Sequence, residues 1–249
     1  SLQTESIIEA RNSTTTPDMT SYYLLAGDIG GTTTRLALYS APTDSAENNI
    51  AIETKEYFNF DHVDSHGGSG AFAVILKDFL EQSSVLSDET DSVIIACFAC
   101  AGPIFNNTCE FTNAGEAHDK FIIRGDEIAS SSDGPIDKIK ACKVVNDFVG
   151  QGYGCLDIDL NTECIELVPG SIAKIDPVGP KVCVGAGTGL GQCYLTTSSL
   201  DPSIGYECFP SEGGHVEFSP RNDLEVKLWE YLKRKFVHKH RISMERIVS

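Results

Sequence analysis

Residues Ala26–Leu38 read AGDIGGTTTRLAL, in which three glycines and three threonines stand between two short apolar runs. The runs YYLLAGDI and RLALYS have the composition of buried strands, so the turn between them predicts a hairpin. The adjacent Gly30 and Gly31 permit a positive φ and the close approach of a ligand. The stretch therefore predicts an exposed backbone turn that holds a polar ligand.

A second turn of the same composition, GAGTGLGQ, lies between the predicted strands KVCVGAG and QCYLTTS in the other half of the chain. Neither turn is a Walker A loop, because no G-K-[ST] follows. The first turn is not a dinucleotide-binding fingerprint either, because a strand rather than a helix follows it. Either turn alone favours a simple tight hairpin. Together they favour a cleft that grips a polyphosphate from both sides. Asp28 would repel a bare phosphate, so we expect it to act on Mg²⁺, through water.

The rest of the chain mixes predicted strands and helices, which indicates an α/β architecture. In the predicted helix AFAVILKDFLEQ, Phe72, Leu76 and Phe79 share one face. Further helices are predicted at Gly125–Ser130, in NDLEVKLWEYLKRKFV and in ISMERIVS; further strands are NIAIETKEYFNF, DSVIIACFA, CEFTN, KIKACKVVND and ECIELVP.

Composition excludes several classes of partner. The chain has 249 residues and a formal net charge of −17, which argues against nucleic acid. No apolar run approaches the ~18–20 residues that span a membrane, and the polar stretch Ser1–Ser21 is predicted to be a disordered tail rather than a signal peptide. The nine cysteines indicate reduced, buried thiols of a cytoplasmic protein. Cys97 and Cys100 form a C-x-x-C pair, but it lies in a predicted buried strand and favours neither zinc nor redox chemistry.

Polar groups follow the apolar segments at three places. Asn146 and Asp147 come directly after a predicted strand, where a carboxylate points into a crevice of the sheet or caps a helix. Glu212 and His215 flank two glycines and suit a ligand rich in hydroxyls, or a polar loop. Glu245 lies on a helical stretch, and periodicity alone makes it a solvated helix residue.

Taken in order, six motifs resemble the bacterial-type glucokinase family, which belongs to the hexokinase, actin and Hsp70 fold group. They are GDIGGTTTRLAL, ACAGPI, VVNDF, GAGTGLG, SEGGHVEF and SMERIVS, and the resemblance runs from about Tyr22 to Ser249. It implies a two-domain, actin-like ATPase fold of the ribonuclease H-like type, with an active site in the cleft between the domains. The implied small domain is residues 22–147 and the large domain residues 148–249.

The resemblance also implies the roles of individual residues. The first phosphate loop would contain Asp28, Gly30, Gly31 and Thr32, and the second Gly187, Thr188 and Gly189. Asp147 would be the general base for transfer of the γ-phosphoryl group of ATP to the 6-hydroxyl of glucose, with Mg²⁺ present. Glucose would be bound by Asn146, Asp147, Glu212, His215 and Glu245. A homodimer is compatible with this reading.

The sequence departs from the family pattern in three places. The loop FTNAGEAHDKF contains Asn113, a candidate sugar contact, but lacks the Trp that usually follows. The tail before Tyr22 is extra. The chain stops where the family continues with SGxG, so we expect that the later helices, which complete the large domain and hold the adenine, are missing and that the apolar face of LEVKLWEYL is exposed. The zinc motif CxCGxxGC of a related group of sugar kinases is absent.

Alternative functions are a kinase for mannose or an N-acetylhexosamine, a non-catalytic sugar sensor, and a structural actin-like ATPase. The motif SEGGH and Glu245 disfavour the structural ATPase.

Overall fold

A computed structural model describes residues 22–40, 50–63, 70–88, 92–111, 121–187, 189–197, 205–237 and 241–248. The predicted tail and the predicted site residues Asn113 and Thr188 lie outside these ranges. The strands are β1 (Tyr22–Ile29), β2 (Thr33–Ser40), β3 (Glu53–Phe58), β4 (Val93–Cys100), β5 (Ile104–Phe105), β6 (Thr108–Glu110), β7 (Ile122–Arg124), β8 (Ile139–Asn146), β9 (Lys181–Ala186), β10 (Leu190–Thr197) and β11 (Tyr206–Ser211). The α-helices are α1 (Phe60–Val63), α2 (Gly70–Gln82), α3 (Ser84–Asp88), α4 (Gly125–Ala129), α5 (Asp147–Gly154), α6 (Asp223–Lys235) and α7 (Glu245–Val248).

These elements form two compact units, between which the chain passes three times. The first unit contains the described residues up to Phe98 and residues 121–143, and the second contains residues 99–111 and 144–248. The strands β4 and β8 begin in the first unit and end in the second. The domain boundary after Asp147 stays a prediction.

The first unit is built on a five-stranded sheet of order β3-β2-β1-β4-β8. β1 pairs antiparallel with β2, and β2 with β3, so the hairpin predicted around the first glycine turn is confirmed. The predicted face of α2 is also confirmed, because Phe72, Leu76 and Phe79 are all buried. The ring of Phe72 packs edge to face on Phe98 of β4, with 5.1 Å between ring centroids. This aromatic contact packs α2 against β4.

The second unit contains the antiparallel sheet β11-β10-β9, and α5 packs on it. Val149 of α5 shares a buried cluster with Cys193, Leu195 and Cys208 of the sheet. The second glycine turn joins β9 to β10, as predicted, so both turns connect antiparallel strands. The unit also contains the hairpin β5–β6, whose turn residues Asn106 and Asn107 have φ of 47° and 56°.

Two predictions about strands were wrong or incomplete. ECIELVP (residues 163–169) forms no strand; its apolar side chains Ile165 and Leu167 are 88% and 90% exposed. The backbone here bonds to side chains instead: Glu163 Oε2 accepts from Asp159 N–H at 2.8 Å, and Glu166 Oε1 from Ile172 N–H at 2.8 Å. Such local bonds compete with strand pairing. The strand β11 was not predicted, because its Pro210 argues against a strand except at a sheet edge, where β11 lies.

The C-x-x-C pair lies in β4, where residues three apart point to opposite faces. Cys100 is buried, but Cys97 is exposed, so the prediction that Cys97 is buried was wrong. These two thiols therefore lie on opposite faces of the strand.

On α6, Leu232 is buried, whereas Leu224 and Leu228 are 76% and 38% exposed. Within the described residues, no helix combines the length and the apolar character needed to cross a membrane.

Candidate active site

The first glycine turn is held by a buried amide that sequence reasoning missed. The Gly30 N–H donates to the Thr33 carbonyl at 2.8 Å and closes the turn. Asn59, which is 1% exposed, donates through Nδ2 to the Gly30 carbonyl at 2.8 Å and accepts from the Thr34 hydroxyl at 2.7 Å. Its own N–H donates to the Thr32 carbonyl at 2.8 Å. In the sequence, Asn59 follows β3 directly. An Asn is common in a loop after a strand, so its position did not indicate this role.

The glycine at the centre of this turn is not required by the fold. Gly30 and Gly31 do not use the positive φ that glycine permits. A Cβ on Gly30 would meet the Thr33 carbonyl oxygen at 3.5 Å, an ordinary contact, and no other heavy atom within 4 Å. Within the described residues, neither backbone conformation nor packing therefore requires a glycine at this position, and its role beside a ligand stays a prediction.

Asp28 lies at the end of β1, opposite Arg35 of β2. Its side chain is 73% exposed, and Arg35 Nη1 stands 3.9 Å from Oδ2. Arg35 is held more closely by Glu56, at 2.8 Å. Asp28 thus presents an exposed carboxylate that is only loosely paired, which suits contact with a hydrated cation.

The second glycine turn has the same openness. The Gly187 N–H donates to the Gly189 carbonyl at 2.8 Å. A Cβ on Gly187 would meet no heavy atom of the described residues within 4 Å, and its φ is not positive. A Cβ on Gly189, in contrast, would stand 3.0 Å from Oε2 of Glu245. The structure thus brings Glu245 to the edge of this turn.

Glu245 and Glu212 lie on either side of one imidazole. His215 Nδ1 lies 3.1 Å from Oε1 of Glu245, thirty residues away in the chain, and His215 Nε2 lies 3.3 Å from Oε2 of Glu212. The Glu245 side chain is 19% exposed and that of Glu212 is 81% exposed. Ser243 Oγ donates to the same Glu245 oxygen at 3.3 Å. Carboxylates and an imidazole in one cluster can accept and donate hydrogen bonds to neighbouring hydroxyls of a sugar.

The backbone explains how these distant residues meet. Glu217 and Ser243 form an isolated antiparallel bridge, and Phe218 N–H donates to the Ile242 carbonyl at 2.8 Å. This pairing lays the start of α7 beside the short 3₁₀ turn Gly213–His215. A Cβ on Gly214 would overlap the Leu190 carbonyl, so this glycine lets the turn rest on β10. Periodicity alone predicted that Glu245 is a solvated helix residue, and that prediction was wrong. Its helix has only four residues, which is too short for periodicity to decide which side chains are buried.

Asn146 and Asp147 lie at the junction of β8 and α5. Asn146 is the N-cap of α5: its Oδ1 accepts from Phe148 N–H at 3.1 Å, while Nδ2 donates to the Gly102 carbonyl at 3.2 Å. Asp147 Oδ1 accepts from the same N–H at 2.9 Å. The cap that the sequence allowed is therefore formed by Asn146, and the carboxylate of Asp147 is oriented by the first turn of the helix.

Two further contacts hold this junction in place. The side chain of Asn107, in the β5–β6 turn, accepts from the backbone N–H of Val144 at 2.7 Å. The ring of Phe148 packs on Gly185 and Gly191, which are paired across β9 and β10. Phe148 thereby ties the helix that begins with Asp147 to the hairpin that carries the second glycine turn. Sequence reasoning missed both Asn107 and Phe148.

Within the described residues, no group of three or more His, Cys, Asp or Glu side chains is arranged to hold a metal ion. Mg²⁺ commonly binds through one or two carboxylates, several waters and the phosphates of its substrate, so a single exposed carboxylate such as that of Asp28 fits this cation.

The family model described as Glucokinase matches residues 25–249. The chain belongs to the glucokinase family. It is 36% identical to a glucokinase of Synechocystis sp. over 225 residues, covering 90% of this chain and 57% of the relative. It is 32% identical to a glucokinase of Helicobacter pylori over 233 residues, covering 94% and 59%. The chain thus spans somewhat more than half the length of these relatives.

Solved structures confirm the α/β fold class. A glucokinase from Balamuthia mandrillaris in complex with glucose superposes with a TM-score of 0.65 at 24% identity, covering 100% of this chain and 65% of the other. A glucokinase from an Antarctic psychrotroph gives a TM-score of 0.62 at 24% identity, covering 91% and 60%. The glucokinase fold that the sequence motifs predicted is therefore present. The roles of the individual site residues stay predictions.

Proposed function

We propose that the protein transfers the γ-phosphoryl group of ATP to the 6-hydroxyl of glucose. One observation carries the proposal: Glu245, assigned to the sugar, stands 3.0 Å from the Cβ position of Gly189 in a turn assigned to phosphate. A phosphoryl-transfer enzyme must hold donor and acceptor in line and close together. A sugar-binding carboxylate at the edge of a phosphate turn meets that requirement.

In this proposal the glucose hydroxyls are bound by Glu212, His215 and Glu245. The imidazole that lies between the two carboxylates would fix their orientation, so that each presents an oxygen to a hydroxyl. Asn146 uses its amide as a helix cap and one of its two N–H groups on Gly102. It would reach the sugar through its second N–H.

Asp147 would accept the proton of the attacking 6-hydroxyl. Its Oδ1 already accepts the Phe148 N–H at 2.9 Å, which directs the carboxylate. A positioned base of this kind contributes about 10²–10⁴-fold to the rate.

The phosphates of ATP would lie against the backbone of Gly30–Thr32 and of Gly187–Gly189, where Gly30 and Gly187 have room for a Cβ among the described residues. Asp28 would hold Mg²⁺ through water, and the cation would neutralise charge on the phosphates. That the two turns act on the same ATP molecule, in the cleft of a two-domain ATPase, is part of the proposal. So is a cytoplasmic site of action.

The test is a coupled assay with ATP, Mg²⁺ and a panel of glucose, mannose and N-acetylmannosamine. We expect the largest kcat/KM with glucose. A larger kcat/KM with mannose or N-acetylmannosamine would support a sugar kinase but show that glucose is not its preferred substrate. Binding of glucose without turnover would support the sugar sensor instead.

A further inference from the structure

Four of the nine cysteines lie together in the second unit, beneath α5. Cys155 Sγ lies 3.9 Å from Cys183 Sγ. Cys183 of β9 is paired in register with Cys193 of β10. A Cβ on Gly152 of α5 would stand 2.6 Å from the sulfur of Cys193 and 2.7 Å from that of Cys208, so both sulfurs face the helix at this glycine. The proposed kinase reaction uses none of these thiols.

The two ends of this cluster differ in exposure. Cys193 and Cys208 are buried, Cys183 is half-buried, and Cys155 is exposed. Cys155 follows α5 directly and is its C-cap residue. Within this cluster a small oxidant in solvent therefore reaches Cys155 first, and the sulfur of Cys183 lies 3.9 Å from its sulfur.

We propose that Cys155 and Cys183 form an oxidisable pair, which a hydroperoxide converts into a disulfide. The thiolate of one cysteine attacks the peroxide oxygen and becomes a sulfenic acid, while the leaving oxygen departs as hydroxide or alkoxide and is protonated. The thiolate of the second cysteine then attacks the sulfenic sulfur, forms the S–S bond and releases water. With hydrogen peroxide, two thiols and one peroxide give one disulfide and two waters.

The geometry of the pair suits this product. A disulfide bond is about 2.05 Å long, so the two sulfurs must approach by roughly 1.9 Å. Cys155 lies just beyond the helix, at an exposed position. The second step is intramolecular, because the two sulfurs already lie within 4 Å of each other.

The reactivity of the pair depends on pH. Burial raises the pKa of Cys155, and the hydrogen bond with Cys183 raises it further. Burial also raises the pKa of Cys183. Since the thiolate is the nucleophile, oxidation is slow near neutral pH and becomes faster as the pH rises.

The disulfide would fasten the C-terminal end of α5 to β9. The N-terminal end of that helix already rests on β9 through Phe148 and Gly185. Oxidation would therefore fix both ends of the helix that begins with Asp147. The chemical test below does not depend on the proposed kinase activity.

The experiment treats the purified protein with hydrogen peroxide, blocks the remaining thiols with iodoacetamide, and maps the peptides by mass spectrometry. We expect the loss of two reactive thiols per chain, a linked peptide that joins Cys155 to Cys183, and recovery of both thiols with dithiothreitol. The initial rate should increase between pH 7 and pH 9.

Variants separate this pair from its neighbours. Cys155→Ser and Cys183→Ser should each abolish the linked peptide, whereas the control Cys164→Ser should leave it unchanged. A peptide that joins Cys193 to Cys208, or full alkylation of Cys155 and Cys183 after peroxide, would overturn the proposal. The mapping of the wild-type protein decides the question even if a variant does not fold.

Discussion

Phe148 lies in the space that a side chain on Gly191 would occupy, and it does so across forty-three positions of sequence. Its ring also faces Gly185, which pairs with Gly191 across the hairpin. The glycines in and around the second turn therefore do two different things. Gly185 and Gly191 make room for an aromatic ring of this chain, whereas Gly187 faces open space.

Alanine substitutions should separate these two roles. We expect Gly191→Ala to lower the free energy of unfolding by about 1–3 kcal/mol, because the new methyl group overlaps Phe148. Gly187→Ala should leave that free energy within about 0.5 kcal/mol of wild type. It should nevertheless weaken ATP binding about tenfold, equivalent to about 1.4 kcal/mol. Urea denaturation and calorimetry measure the two effects, and a stable Gly187→Ala protein with wild-type ATP affinity would remove this turn from the phosphate site.

Asp147→Asn should reduce kcat by about 10²–10⁴-fold while glucose binding persists. Asparagine keeps an Oδ1 that accepts the Phe148 N–H, so the first turn of α5 should be unchanged. Asp157→Asn, ten residues further along at an exposed position, is the matched control and should retain wild-type kcat. If Asp147→Asn kept more than about a tenth of the wild-type rate, Asp147 would not be the general base.

Glu245→Gln should weaken glucose binding more than ATP binding. The substitution removes the charge from a mostly covered carboxylate beside His215 and replaces an acceptor with a donor, at a cost of about 1–3 kcal/mol. Glu207→Gln, on an exposed position of β11, is the control for removal of a carboxylate from this unit. Isothermal titration with glucose measures the effect, and equal affinities for Glu245→Gln and wild type would contradict the sugar-site assignment.

Lowering the pH should weaken the hydrogen bonds that join Asp78 of α2 to Lys55 and Tyr57 of β3. Partial burial alone would raise the pKa of Asp78, but hydrogen bonds from Lys55 at 2.6 Å and Tyr57 at 2.9 Å outweigh it and hold the pKa below 3.8. A carboxyl group with a lowered pKa in the folded state stabilises the protein fully above its unfolded value. This contribution is lost as the pH falls through the folded value.

Asp78→Asn should therefore be less stable than wild type at neutral pH, and the difference should shrink as the pH falls below about 3.8. Asp61→Asn, at an exposed position of α1, is the control, and its free energy of unfolding should follow that of wild type more closely over the same pH range. Urea denaturation between pH 2 and pH 7 measures both. A difference for Asp78→Asn that stays constant over this range would show that the carboxylate charge does not matter.

The parts of the structure that the sequence predicted are those with local signals. The hairpins around both glycine turns followed from apolar runs on either side of glycine, and the buried face of α2 followed from helical spacing. Glu245 was different. Periodicity predicted a solvent-exposed side chain, and only the family resemblance assigned this residue to the sugar site. Its contact with His215 depends on the bridge between Glu217 and Ser243, which no local pattern indicates.

The same limit explains the residues that sequence reasoning missed. Asn59 and Asn107 act through hydrogen bonds to groups at least 25 residues away in sequence. Phe148 acts through two glycines on other strands. Each looks ordinary in its own segment, and its role appears when the packing of distant segments is known.

The amide of Asn59 gives the first glycine turn its shape before any nucleotide is present. A loop that must be ordered by its ligand loses conformational freedom on binding, and that loss subtracts from affinity. Here the Gly30 carbonyl and the Thr34 hydroxyl are already held by the buried side chain of Asn59, and the Thr32 carbonyl by its backbone N–H. The conformational entropy of that loop is therefore lost during folding, so in the proposed phosphate site the contacts with phosphate would contribute to affinity with little offset from ordering.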